Sequence, residues 1–161
     1  MNLKSLILPF LGLFLLACGS SQSRIDEIKE QSKIEPAAQA ESNVPASERI
    51  TLENKGVGRI ENVTLAETID QVMVERGKAI FETNCSACHK IDKRFIGPSP
   101  KGIMKRRSPE WVMNMILDPQ LMVEQDRCAK DLLIEFNGAA MANQNMTEEQ
   151  ARDILEYFRT L

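Results

Sequence analysis

Apolar residues recur at helical intervals in four stretches of the second half of the chain. From about Ile69, Val72, Met73, Ala79, Ile80 and Phe81 carry one stripe up to Asn84, the 3.6-residue spacing of a helix with one buried face. Ser108-Pro109-Glu110 opens a second helix, with a side-chain acceptor at the N-cap, proline at the first helical position and an acid in the first turn. Trp111, Val112, Met115 and Ile116 supply its apolar face, and Asp118-Pro119 stops it. A third, over about Asp126 to Phe136, turns Leu132, Leu133 and Phe136 inward and ends at Asn137-Gly138. The fourth opens on a capping box, Thr147-Glu148-Glu149-Gln150, and buries Ala151, Ile154, Leu155, Tyr157 and Phe158. No βαβ alternation and no internal repeat interrupts them, so the pattern predicts an all-α unit over 50–161 with a helical core at about 69–161.

The first third of the chain is patterned differently. Lys4 precedes an apolar run from Leu6 to Leu16. That run is shorter than the roughly 20 residues of a spanning helix and reads as a secretory signal over 1–17. Leu15-Leu16-Ala17-Cys18 resembles a bacterial lipobox, which would make Cys18 a lipidated residue; ordinary signal cleavage and an uncleaved anchor are the alternatives. Residues 18–49 are rich in Ser, Gln, Glu, Lys, Ala and Pro, with apolar residues too sparse to offset the entropy of ordering them. They predict a disordered tether, reaching about 30 Å as a random coil. Ile50, Leu52, Val57, Ile60 and Val63, broken by Gly56 and Gly58, then predict an extended lead-in that wraps the domain.

A formal charge of −3 over 161 residues gives no whole-chain basic signature for nucleic acid. The charge is uneven, however. Between Lys90 and Arg107 seven basic residues stand against Asp92, whereas Glu110 to Leu161 holds ten acids and four bases. A basic patch of this kind would steer an acidic partner.

Two of the four cysteines and the single histidine meet in Cys85-Ser86-Ala87-Cys88-His89. C-x-x-C-H is the attachment signal for c-type haem, in which the thiols add to the vinyl groups and the histidine ligates the iron. Three other chemistries use paired cysteines. A dithiol redox motif sits beside a βαβ pattern, which is missing here. A structural zinc needs four ligands and a second Cys/His cluster, and no second histidine exists. A Cys85–Cys88 disulfide leaves His89 without a role. With one histidine, a bis-histidine iron built from this chain alone is excluded, and methionine is the soft ligand that remains. Met113, Met115 and Met122 lie in or beside a predicted helix, where packing explains them; Met146, just before Thr147, reads as a hydrophobic staple. Arg106, Arg107 and Trp111 are candidates to pair with haem propionates, since a guanidinium offers a fork of donors and an indole N–H one bond. Cys128 is left over and reads as a buried inert thiol, with an intermolecular disulfide as the alternative.

Gly77-Lys78-Ala79-Ile80-Phe81, Cys85–His89 and the pair Ile154 and Tyr157 resemble the class I c-type cytochromes. In that family a glycine and an aromatic of the first helix face the C-terminal one. The resemblance covers about 69–161 and implies one haem c, held by Cys85 and Cys88. It implies His89 as one iron ligand and Met141, in the loop Asn137–Asn143, as the other, with Met146 as runner-up; Ala142 stands where the family often has proline. It further implies that the Pro98 carbonyl accepts a hydrogen bond from His89. Haem attachment in the family takes place outside the cytoplasm, which agrees with the signal segment and implies a lipid-anchored periplasmic protein. The implied function is electron transfer between redox partners in a respiratory chain. Gly56-Val57-Gly58-Arg59 resembles a lead-in of small cytochromes associated with nitrous oxide respiration, which suggests a terminal reductase such as nitrous oxide reductase, or an oxidase, as acceptor. The alternative is a five-coordinate haem with peroxidatic or gas-binding activity.

Overall fold

The computed structural model describes residues 43–161; the signal segment, Cys18 and most of the tether lie outside the described residues. Among the described residues five helices follow in order: α1 Gln71–Asn84, α2 Pro109–Leu117, α3 Pro119–Gln125, α4 Arg127–Glu135 and α5 Glu148–Phe158, with a 3₁₀ turn at Ile103–Lys105. Among the described residues there is no strand beyond two isolated bridges. No helix among them is long and apolar enough to cross a membrane.

The helix ends are set by short polar side chains. Asp70 accepts from the amides of Val72 and Met73 at the head of α1, and Ser108 from Trp111 N at the head of α2. Both halves of the capping box are formed at Thr147 and Gln150. After α4 the backbone turns left-handed at Asn137 (φ 56°) and Gly138 (φ 77°), returning Gly138 N to Leu133 O at 2.8 Å. The sequence pattern misses α3. Asp118-Pro119 does stop α2, but Asp118 then caps a new helix by accepting from Leu121 N, with Pro119 at its first position.

Helices α1 and α5 cross in backbone contact at Gly77, and Phe81 packs on Tyr157 and Phe158 with ring centroids 5.9 and 5.8 Å away. Arg76 locks the crossing with two bonds to the Asp153 carboxylate, at 2.7 and 2.8 Å. Ile154 and Leu155 are fully buried beneath. The crossing is the frame from which the turn after α1 is presented.

The ordered lead-in starts earlier than the expected boundary at residue 50. Ala46 is 3% exposed and belongs to the core, whereas Ile50 is 71% exposed. Periodicity misses this because most of the anchors are polar and come from distant helices. The buried Asn114 of α2 accepts from Ile60 N at 3.0 Å and donates to the carbonyls of Lys55 and Ile60. Met122 of α3 is fully buried, with its sulfur accepting from Val57 N at 3.1 Å.

Candidate cofactor site

The motif occupies the turn that continues α1. Cys85 N and Ser86 N still donate to Phe81 O, and Cys88 N and His89 N both donate to Cys85 O, at 3.1 and 2.9 Å. This winding brings both thiols and the imidazole to one cavity, which Cys85, Cys88 and His89 all line. Cys85 and Cys88 are not joined in a disulfide, and burial pushes the Cys85 thiol above its ordinary value, with a smaller contribution from Cys88. Among the described residues no three His, Cys, Asp or Glu side chains are grouped so as to hold a metal ion.

His89 is fixed from behind. Its Nδ1 lies 2.8 Å from the Pro98 carbonyl, so Nδ1 carries the proton and Nε2 is left as the donor nitrogen. Gly97 makes this possible, because a Cβ there would stand 2.5 Å from His89 Cε1. Its backbone N–H also ties the loop to Cys88 O at 2.9 Å. Gly97 is a functional position the sequence reading passed over, although a glycine directly before the expected acceptor proline was the available signal.

The rest of the cavity is largely apolar, enclosed by side chains from α2, α4 and α5 and by the loop Ala139–Ala142. Its empty space, open mouth included, is about 1380 Å³. Met141, half-buried, lines it, and so does Met115. Met146 does not line it; that side chain is buried in the core as its staple position predicts.

Arg106, Arg107 and Trp111 also line the cavity, but their donors are largely spoken for. The single N–H of Trp111 goes to Asp126 Oδ1 at 3.0 Å, so the expected propionate role is closed to it. Arg106 turns to the carbonyls of Lys101 and Gly102, at 3.0 and 3.2 Å. Arg107, 2% exposed, gives Nη2 to Ala46 O at 2.6 Å and Nη1 to the carbonyls of Arg49 and Arg106. Its Nε is buried without a partner, and burial lowers the guanidinium from its ordinary value. A buried cation with an unmet donor in the wall fits a cofactor that brings its own carboxylates. Apolar walls, two thiols on one turn, an oriented imidazole and this guanidinium together fit haem c.

The basic stretch is less available than its sequence suggests. Arg107 is buried, Arg106 is turned inward, Arg94 is bound to Glu135 and Lys101 is paired with Asp92 at 2.8 Å. Lys90, Lys93 and Lys105 remain without an ion pair among the described residues. Cys128 is buried, and desolvation pushes its thiol above the ordinary value, consistent with an inert core residue.

Comparison with known proteins agrees with this geometry. A protein described as cytochrome c-553-like from Synechocystis sp. is 40% identical over 47 residues, which are 29% of this chain and 45% of that protein. The chain thus matches less than half the length of that relative. A solved cytochrome c from Rhodothermus marinus is 41% identical, with a TM-score of 0.62, over 64% of this chain and 88% of that one. An engineered form of the Rhodothermus marinus protein, bound to a carbene intermediate, is likewise 41% identical with a TM-score of 0.59. The sequence pattern of the cytochrome c family matches residues 74–161, from α1 through the attachment motif to the end of α5. The cofactor of this fold is covalently attached haem c, and the chain belongs to the cytochrome c family.

Proposed function

We propose that this protein is a monohaem electron carrier rather than an enzyme, with His89 and Met141 as the two iron ligands. The observation that carries the reading is the His89 ring, locked at Nδ1 by Pro98, with Nε2 left to bind metal in the cavity that the Met141 loop lines. Haem c, when bound, supplies an iron centre that exchanges one electron and, with histidine and methionine ligands, does so at a raised potential. The chain supplies the rest. Cys85 and Cys88 hold the macrocycle, the Pro98 carbonyl makes the imidazole a stronger donor, and the apolar walls exclude water. The Arg107 guanidinium, in the cavity wall with one donor unmet, is the group that would receive a propionate.

In this reading Cys18 carries lipid, and the protein works in the periplasm, held to a membrane by the tether. The lead-in Gly56-Val57-Gly58-Arg59 supports a terminal reductase, such as nitrous oxide reductase, or an oxidase as acceptor. Lys90, Lys93 and Lys105 would favour weak, salt-sensitive docking of an acidic redox partner.

The test is the optical spectrum of the exported, haem-loaded protein in both redox states and with carbon monoxide, for wild type and Met141→Ala. The expected result is a methionine-to-iron charge-transfer band in the oxidised wild type, lost in the variant, with no carbon monoxide binding by the reduced wild type. A high-spin wild type that binds carbon monoxide readily would move the function to a gas-binding or peroxidatic haem.

A further inference from the structure

The stretch Ala46–Arg49 precedes the part of the chain that matches the family, yet five polar contacts hold it at the cofactor cavity. Ser47 lines that cavity, and its N–H and Oγ donate to the two carboxylate oxygens of Glu135 at 2.8 and 2.6 Å. Arg107 grips the same stretch through the carbonyls of Ala46 and Arg49. Arg49 in turn reaches Asp131 of α4 at 2.7 Å. Glu135 also accepts from Arg94 Nη1 at 3.0 Å, and the Arg94 guanidinium stacks 3.9 Å from the Phe136 ring centroid. One carboxylate therefore joins the lead-in, the loop after the attachment motif and α4.

Glu135 is the last residue of α4, where a carboxylate meets the negative end of the helix dipole. The helix by itself disfavours it there, and the three donors it gathers offset that cost.

We propose that Ala46–Arg49 is a clasp forming one wall of the haem cavity beside Arg107, and that Glu135 holds it shut and thereby sets the reduction potential. The inference rests on the haem reading above. Water stabilises the oxidised, more positively charged centre, so a wall that excludes water raises the potential. Opening the clasp lowers it.

The experiment compares haem-loaded wild type, Glu135→Ala and the milder Ser47→Ala in the full chain. Pyridine haemochrome absorbance first measures covalent haem c; its absence from the wild type would remove the haem reading itself, before the clasp is tested. Limited proteolysis between residues 43 and 52 then reports opening. Losing both Ser47 bonds should speed cleavage about tenfold or more in Glu135→Ala, and less in Ser47→Ala. Equilibrium redox titration should show the potential falling in the same order. Loss of a negative charge near the iron would by itself raise the potential, so a fall in Glu135→Ala separates an opened wall from altered electrostatics. Faster cleavage with an unchanged or raised potential would overturn the proposal, as would unchanged cleavage in both variants. If Glu135→Ala fails to accumulate with haem, Glu135→Gln and Ser47→Ala carry the same two readouts.

Discussion

A Cβ atom on Gly77 would lie 2.0 Å from the backbone oxygen of Asp153 and 2.4 Å from its carbonyl carbon. Both obstacles are main chain, so no rotamer change can clear them. Gly77→Ala must push α1 and α5 apart and loosen Phe81 from Tyr157 and Phe158. We expect a loss of about 3 kcal/mol, read as a lower urea midpoint of the haem-loaded protein. A loss below ~1 kcal/mol would mean that the crossing adjusts freely.

At Gly97 the neighbour is the His89 ring, 2.5 Å from an added Cβ. Gly97→Ala should turn the imidazole, weaken its bond to the Pro98 carbonyl and change the spin-state bands of the oxidised protein. Gly138→Ala provides the control. That position has nothing within 4 Å, and its φ of 77° should cost only about 1 kcal/mol with the spectrum intact.

Much of this arrangement was legible in the residues, because caps and short motifs act locally. Ser108 and Thr147 each announced a helix, and Cys85–His89 announced the chemistry. What was not legible depended on pairings between distant residues. Ala46 reads as tether because the residues that hold its neighbourhood are distant, Arg107 standing 61 positions beyond Ala46 and Glu135 standing 88 beyond Ser47. Trp111 looked like a propionate donor because nothing in its local sequence showed that Asp126 would take its one N–H. The seven-residue α3 was hidden because an Asp-Pro pair ends one helix as readily as it begins the next.

The Trp111–Asp126 bond is open to measurement. Asp126 accepts from Trp111 Nε1, Ala129 N and Asn54 Nδ2, at 3.0, 2.8 and 2.7 Å, which makes it a buried junction between lead-in, α2 and α4. Trp111→Phe should cost about 1–3 kcal/mol, since one hydrogen bond to a buried carboxylate is lost. The pH dependence of the reduction potential should stay as in wild type. A shift in that dependence would restore Trp111 as a propionate partner.

Acid should disrupt the ion-pair group around Glu156, which is 1% exposed on α5. Burial alone would raise its carboxyl. Arg152, the Asp70 amide and Arg159 outweigh burial and hold it below the ordinary carboxylate value, through bonds of 2.6, 3.0 and 2.6 Å. A depressed folded-state value stabilises the protein above the ordinary carboxylate range, and that contribution is lost as pH falls through and below roughly pH 4 to 5. Unfolding free energy should therefore drop steeply on acidification, and Glu156→Gln should be less stable near neutrality with a flatter acid limb. Parallel pH profiles for the two proteins would show that the Arg152–Glu156–Arg159 group is not what acid disrupts.

The crossing of α1 with α5 also sets an order of events in time. Synthesis delivers α1 and the two cysteines of the turn after it before Asp153 and Phe158 exist. A 14-residue helix with an unpartnered apolar face is marginal in water. Until the final residues arrive, Cys85 and Cys88 sit on a chain with no finished fold around them. The attachment chemistry thus has an interval in which both thiols are carried on a chain whose haem cavity is not yet walled by α5.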